Sequence, residues 1–153
     1  MKTKWIRLLP LAFCCTCLSS FGQSADQIAA AKDILAKAPP AELAAKCAQL
    51  VAGAPAREKV AVAAAVGHAV AKVSPPGTPA AVTAVAVREP STAPSVAAAA
   101  ATELPNSAPA IAVAAIKSPR VSERDVRAAV VAAAPGQSVA IITALVQARG
   151  AAR

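Results

Sequence analysis

Proline recurs along this chain at nearly even intervals. A residue that opens a helix readily but cannot continue one limits how long any helix can run. After Pro39-Pro40 it returns at Pro55, Pro75-Pro76, Pro90, Pro105, Pro119 and Pro135, and from Pro76 the steps are 14, 15, 14 and 16 residues. Two steps make a period of 29 to 30 residues, a length typical of stacked helical repeats. Other positions follow the same period. At an offset of 29, Pro76, Thr78, Val82, Val87, Arg88 and Pro90 align with Pro105, Ser107, Ile111, Ile116, Lys117 and Pro119. At an offset of 30, Val96, Pro105 and Ile111 align with Val126, Pro135 and Ile141.

Alanine fills the intervals, 45 of 153 residues. It is the best helix former, yet it removes little apolar surface from water, so such helices must pack closely to gain anything. The spacing predicts helices at about 25–37, 41–53, 56–73, 78–88, 92–104, 107–117, 122–134 and 137–149. Ile28, Ala31 and Leu35 mark one inward face, and Leu43, Cys47 and Leu50 a second. Val62, Val66, Val70 and Val73 mark a third, followed by Val126, Ala129, Val130 and Ala133, then Val139, Ile142 and Val146. Ser24 with Gln27 and Ser122 with Asp125 have capping-box spacing, and Thr78 stands before Pro79 where a helix should start. Glu42 and Lys46 form an i,i+4 pair, and Gly67 is placed to kink the longest helix. The expected fold is all-α, built of short antiparallel helices in half-repeats of about 15 residues. It is either stacked as an α-solenoid or closed as a small helical bundle. Disorder is the competing reading, because Leu, Ile, Val and Phe supply only 28 of the 131 residues after position 22. Low net charge and the helix propensity of Ala favour folding.

Residues 1–22 have the layout of a secretory signal peptide, leaving 23–153 as one helical-repeat domain. Lys2, Lys4 and Arg7 precede the apolar run Leu8–Leu18, and Ser20-Phe21-Gly22 offers small residues for a cut before Gln23. The run is shorter than the roughly 20 residues a membrane span needs and contains Pro10. Phe13 before Cys14 disfavours lipoprotein processing. The expected destination is the periplasm or the medium, with no transmembrane helix in the mature chain. Removal of Cys14, Cys15 and Cys17 with the leader would leave Cys47 alone. It would then be a buried thiol, half of an intermolecular disulfide, or a nucleophile.

Little in the chain supports chemistry. His68 is the single histidine and is expected on a solvated helix face, with no second His and no Cys nearby to complete a metal site. The eight carboxylates are dispersed, no Gly-rich phosphate loop exists, and the three aromatic residues all lie within the first 21 positions. Neither catalysis nor a cofactor is expected. Without the leader's three cations, 13 basic residues face 8 acidic ones, and Glu89 to Ile116 carries no basic residue, so nucleic acid is not an expected partner. One feature is suggestive. Arg120, Arg124 and Arg127 have i, i+4, i+7 spacing and could form a basic stripe for an anionic partner; the alternative is a solvated face with Glu123 paired to Arg127. The partner classes this leaves are a protein or a cell-envelope component, with weak membrane-surface contact through the low-charge stretches 78–87 and 90–116 as the alternative.

A proline followed, after five residues, by Val or Ile opens an Ala-rich helix from Pro76 to Val82, from Pro105 to Ile111 and from Pro135 to Ile141. Together with the leader, this resembles a loose group of uncharacterised exported, Ala-rich helical-repeat proteins of bacteria. The resemblance covers about residues 24–149 and implies a non-enzymatic structural or interaction role, with no cofactor and no catalytic residue.

Overall fold

A computed structural model describes residues 20–151. Eight α-helices and no strand occur among the described residues: α1 (Ser20–Ala36), α2 (Leu43–Gly53), α3 (Lys59–Val73), α4 (Thr78–Arg88), α5 (Ala93–Glu103), α6 (Ala108–Ala115), α7 (Glu123–Ala133) and α8 (Ser138–Ala151). All eight expected helices form. The largest boundary difference is at α1, which begins at Ser20, ahead of the expected cut after Gly22. The charged and apolar parts of the leader, with Cys14, Cys15 and Cys17, lie outside the described residues.

Proline does two jobs in three of the half-repeats. Pro75, Pro90, Pro105 and Pro135 each open a three-residue 3-10 turn, after a residue held out of the helical region (Ser74, Glu89, Leu104 and Ala134, with φ from −127° to −145° and ψ from 65° to 80°). A following proline ring disfavours the α region for its predecessor. The second residue of the next α-helix is again proline at Pro79, Pro94 and Pro109, where the missing N–H would have no helical partner anyway. The turns thus recur at a step of 15 residues or its double. This corrects the alignment at an offset of 29: Pro75, not Pro76, is the equivalent of Pro105. The alignment at an offset of 30 holds, and Ala81, Ile111 and Ile141 are all buried.

The step lapses between α6 and α7, where Arg120 stands in place of proline. Two successive turns close there, from the Lys117 N–H to the Ala114 carbonyl and from the Val121 N–H to the Ser118 carbonyl. Ser122 then caps α7, its Oγ accepting from the Asp125 N–H at 3.3 Å. Ser24 lies within α1 rather than ahead of it. Thr78 is buried and donates its hydroxyl to the Ser74 carbonyl at 3.0 Å, which satisfies a turn rather than a helix amide.

Successive helices run antiparallel, and the main packing joins helices two apart in the chain. α1, α3, α5 and α7 lie side by side in one row, and α2, α4, α6 and α8 in a second row against it. This is the arrangement of stacked helix pairs rather than of a closed bundle. The core between the rows is mostly Ala, with Leu35, Val51, Val66, Val70, Val82, Val85, Ile111, Ile141 and Leu145 as its larger members. Gly67 serves the closest approach. A Cβ there would lie 2.5 Å from the Val96 carbonyl oxygen on α5, and α3 runs through it as one helix rather than breaking. The face expected for α8 is reversed: Val139, Ile142 and Val146 are exposed, and Ile141 and Leu145 point inward. α8 is apolar on two sides, so periodicity alone could not choose between them.

Candidate functional site

Each residue with chemical potential has a defined place in the stack. Cys47 is fully buried on α2 beside the Leu43–Val51 face. Burial pushes its thiol pKa up to about 12, only partly offset by a backbone hydrogen bond. A thiol held neutral and out of contact with solvent is neither a nucleophile nor half of an intermolecular link in the folded chain. Thiol reagents at neutral pH should therefore leave Cys47 unmodified in the native protein and react with it fully in denaturant, followed as adduct mass on the peptide that carries it.

His68 is not the solvated histidine the sequence suggests. It is half-buried on α3, and its Nδ1 lies 2.9 Å from Glu103 Oε1 at the end of α5. Lys72, one turn further on α3, reaches the same oxygen at 3.1 Å. Desolvation raises the Glu103 pKa, but hydrogen bonds from Lys72 and His68 and their charge outweigh it and hold the carboxyl below its ordinary 4.5. A carboxyl whose folded pKa is lowered stabilises the fold above its unfolded pKa, and that contribution fades as pH falls through the folded value. Glu103→Gln should therefore cost up to about 1 kcal/mol near neutrality and leave melting temperature less dependent on pH below 4.5 than in the parent chain. Lys59 and Glu89 form a further half-buried pair at 2.9 Å. These clusters fasten helices together. Among the described residues, no three His, Cys, Asp or Glu side chains come together as metal ligands would.

The arginines do not form the expected single stripe. Arg120 sits in the α6–α7 turn, ahead of the Ser122 cap at which α7 begins, while Arg124 and Arg127 are exposed on α7. Glu123 pairs not with Arg127 but with Arg149 of α8. Arg120 lines a shallow hollow of about 520 Å³ with Pro90, Pro94, Ser122 and Asp125. The Asp125 carboxylate beside it weakens its appeal to an anion.

Two adjoining grooves lie along the second row. Pro79, Ala80 and Thr83 of α4 and Pro109, Ala110 and Val113 of α6 wall an apolar groove of about 380 Å³. Its neighbour, about 440 Å³, begins at the same Val113 and Lys117 and continues past Ile116 and Val121 to Ala148 and Arg149. Thr83 holds the first groove's walls together: its hydroxyl donates to the Pro79 carbonyl at 3.0 Å and lies 3.1 Å from the Ala114 carbonyl on the neighbouring helix. The sequence signal for this surface was the pair Pro79-Ala80 and its equivalent Pro109-Ala110, two small, smooth residues at the same place in alternate half-repeats.

No family model, curated protein or solved structure matches the chain. The likeness to exported helical-repeat proteins therefore remains an expectation from the Pro and Ala pattern and the leader. The low charge of residues 78–87 and 90–116, which suggested contact with a membrane surface, has a packing explanation: Ala81, Val82, Val85, Val96, Ala97, Ala100, Ile111 and Ala112 are all core. No single helix among the described residues is long and apolar enough to cross a membrane.

Proposed function

We propose that this is an exported, non-enzymatic scaffold of the bacterial envelope or periplasm that holds an extended segment of a partner protein along its second row of helices. The observation that carries this reading is the pair of adjoining grooves that share Val113 and Lys117. Together they make a shallow apolar trough across α4, α6 and α8 with Lys117 along its course and the Arg149–Glu123 ion pair at its end. Stacked repeats commonly bind partners along such continuous surfaces. The trough suits an apolar extended peptide better than a small molecule, which favours deeper enclosure. The dispersed carboxylates, the buried thiol and the single, structurally engaged histidine support a role without catalysis.

The test is site-specific photo-crosslinking in the producing cell. A probe at Ala110, in the trough, should give a discrete adduct with one envelope protein, and a probe at Ala132, exposed on α7, should not. Equal adducts from both positions, or none from Ala110, would remove the proposal. Export is tested separately by the N-terminus of the protein recovered outside the cytoplasm, expected at Gln23.

A further inference from the structure

The stack ends on α7 in the first row and on α8 in the second, and these two helices are in contact. On α8, Val139, Ile142 and Val146 are 78%, 44% and 61% exposed, one turn apart along one side of the helix. Arg149 follows Val146 on that side and reaches across to Glu123 at the start of α7. Arg127 lies one turn beyond Glu123, and Arg124 one turn before Arg127; both are exposed. The end of the stack thus joins an aliphatic stripe from α8 to a pair of arginines from α7. The carboxylates nearby are engaged or turned aside. Glu123 is held by Arg149, and Asp125 lines the hollow with Pro90 and Pro94. No Asp or Glu follows Asp125 in the chain, whereas Arg127, Arg149 and Arg153 do.

We infer that this end of the stack docks on an anionic lipid surface, with Val139, Ile142 and Val146 at the edge of the acyl chains and Arg124 and Arg127 among the headgroups. Charge complementarity selects this occupant. Anionic headgroups attract each arginine near the surface, and among the described residues no free carboxylate shares the face to oppose them. An arginine stem lies readily along apolar surface while its guanidinium reaches the phosphates, so both stripes are engaged at once. A second copy of the chain is a poorer occupant, because a contact through this face would bring Arg124 and Arg127 of both molecules to one interface. A partner protein also suits it less. Strong protein contacts are anchored in pockets, and Val139, Ile142 and Val146 line neither the two grooves nor the hollow described above. The contact is superficial, since no single helix among the described residues is long and apolar enough to cross a membrane. It does not depend on the trough or on what the trough holds.

Co-sedimentation of the intact protein with vesicles is the test. Vesicles of equal parts phosphatidylglycerol and phosphatidylcholine should bind it at low salt, and binding should fall at least about tenfold on phosphatidylcholine alone or in about 0.5 M salt. Arg124→Glu combined with Arg127→Glu should weaken binding by about thirtyfold or more. Ile142→Ser combined with Val146→Ser should weaken it by about tenfold. Helical circular dichroism should be unchanged in both. Lys46→Glu combined with Arg57→Glu removes the same charge from exposed positions nearer the other end of the chain, and should alter binding by less than about threefold. A photo-crosslinker at Val146 should give a lipid adduct by mass, and one at Ala45, exposed on α2, should not. No binding to the anionic vesicles, equal binding to both kinds, or equal losses from the two charge-reversed pairs would each overturn the inference. So would a protein or dimer-sized adduct from Val146 in place of the lipid.

Discussion

Replacing Gly67 by Ala should lower the stability of the folded chain by about 2 kcal/mol, the upper part of the usual overpacking cost less the helix propensity gained. The sign is opposite to the general rule. Gly in a helix interior costs about 1 kcal/mol relative to Ala, so in open space the substitution stabilises. At Gly67 the new methyl would sit 2.5 Å from the Val96 carbonyl oxygen and 3.0 Å from Ala99 Cβ, both on α5. Neither can swing away as the tip of a long side chain would, so α3 and α5 must separate. These helices form the most extensive contact in the molecule, and Ala-to-Ala packing has no slack to absorb the shift. The melting temperature should fall by about 6 to 8 °C. Gly53→Ala and Gly150→Ala provide the contrast. Both positions are helical, with nothing within 4 Å of the added carbon, and each should gain about 0.4 to 1 kcal/mol. A rise in melting temperature for Gly67→Ala would mean that α3 and α5 do not approach as closely as described.

What could be read from the sequence, and what could not, follows from the range of each interaction. The eight helices were legible because proline acts locally: it fixes its own φ and its predecessor's backbone wherever it stands. The repeat register was legible only to within one residue, because the tandem Pro75-Pro76 offered two starting points and Ala-rich flanks match in either. The two-sided α8 could not be oriented by its own spacing, although the equivalence of Ile111 with Ile141 pointed to the correct face. The pairing of His68 with Glu103 joins residues 35 apart on different helices, and nothing in the local pattern marks it. The arginine stripe failed because α7 starts only at Glu123, capped by Ser122, which leaves Arg120 in the turn before it. The trough was visible only as two Pro-Ala pairs, whose importance depends on α4 and α6 being neighbours.

Truncating Ile111 should be the most damaging single change in the second row. α6 is the shortest helix, and its buried residues are Ala108, Ile111, Ala112, Ala114 and Ala115, so one side chain supplies most of the apolar surface it buries. It also stands between α4 and α8. In a stack held by nearest-neighbour contacts, an interior helix that loses its anchor weakens the interfaces on both sides of it, whereas a loss at an end only frays that end. Ile111→Ala should cost about 3 kcal/mol, a large part of the roughly 6 to 15 kcal/mol a domain of this size has to lose. Val87→Ala, at an exposed residue on α4, should stay within about 0.5 kcal/mol of the parent. Hydrogen exchange distinguishes the two kinds of loss. With Ile111→Ala, amides of α6, α7 and α8 should lose protection together and before those of α3 and α5, turning a single unfolding transition into two. With Leu35→Ala, at the other end of the stack, faster exchange should be confined largely to α1. If Ile111→Ala kept one cooperative transition at the parent's denaturant midpoint, α6 would not be the link that couples the two ends of the second row.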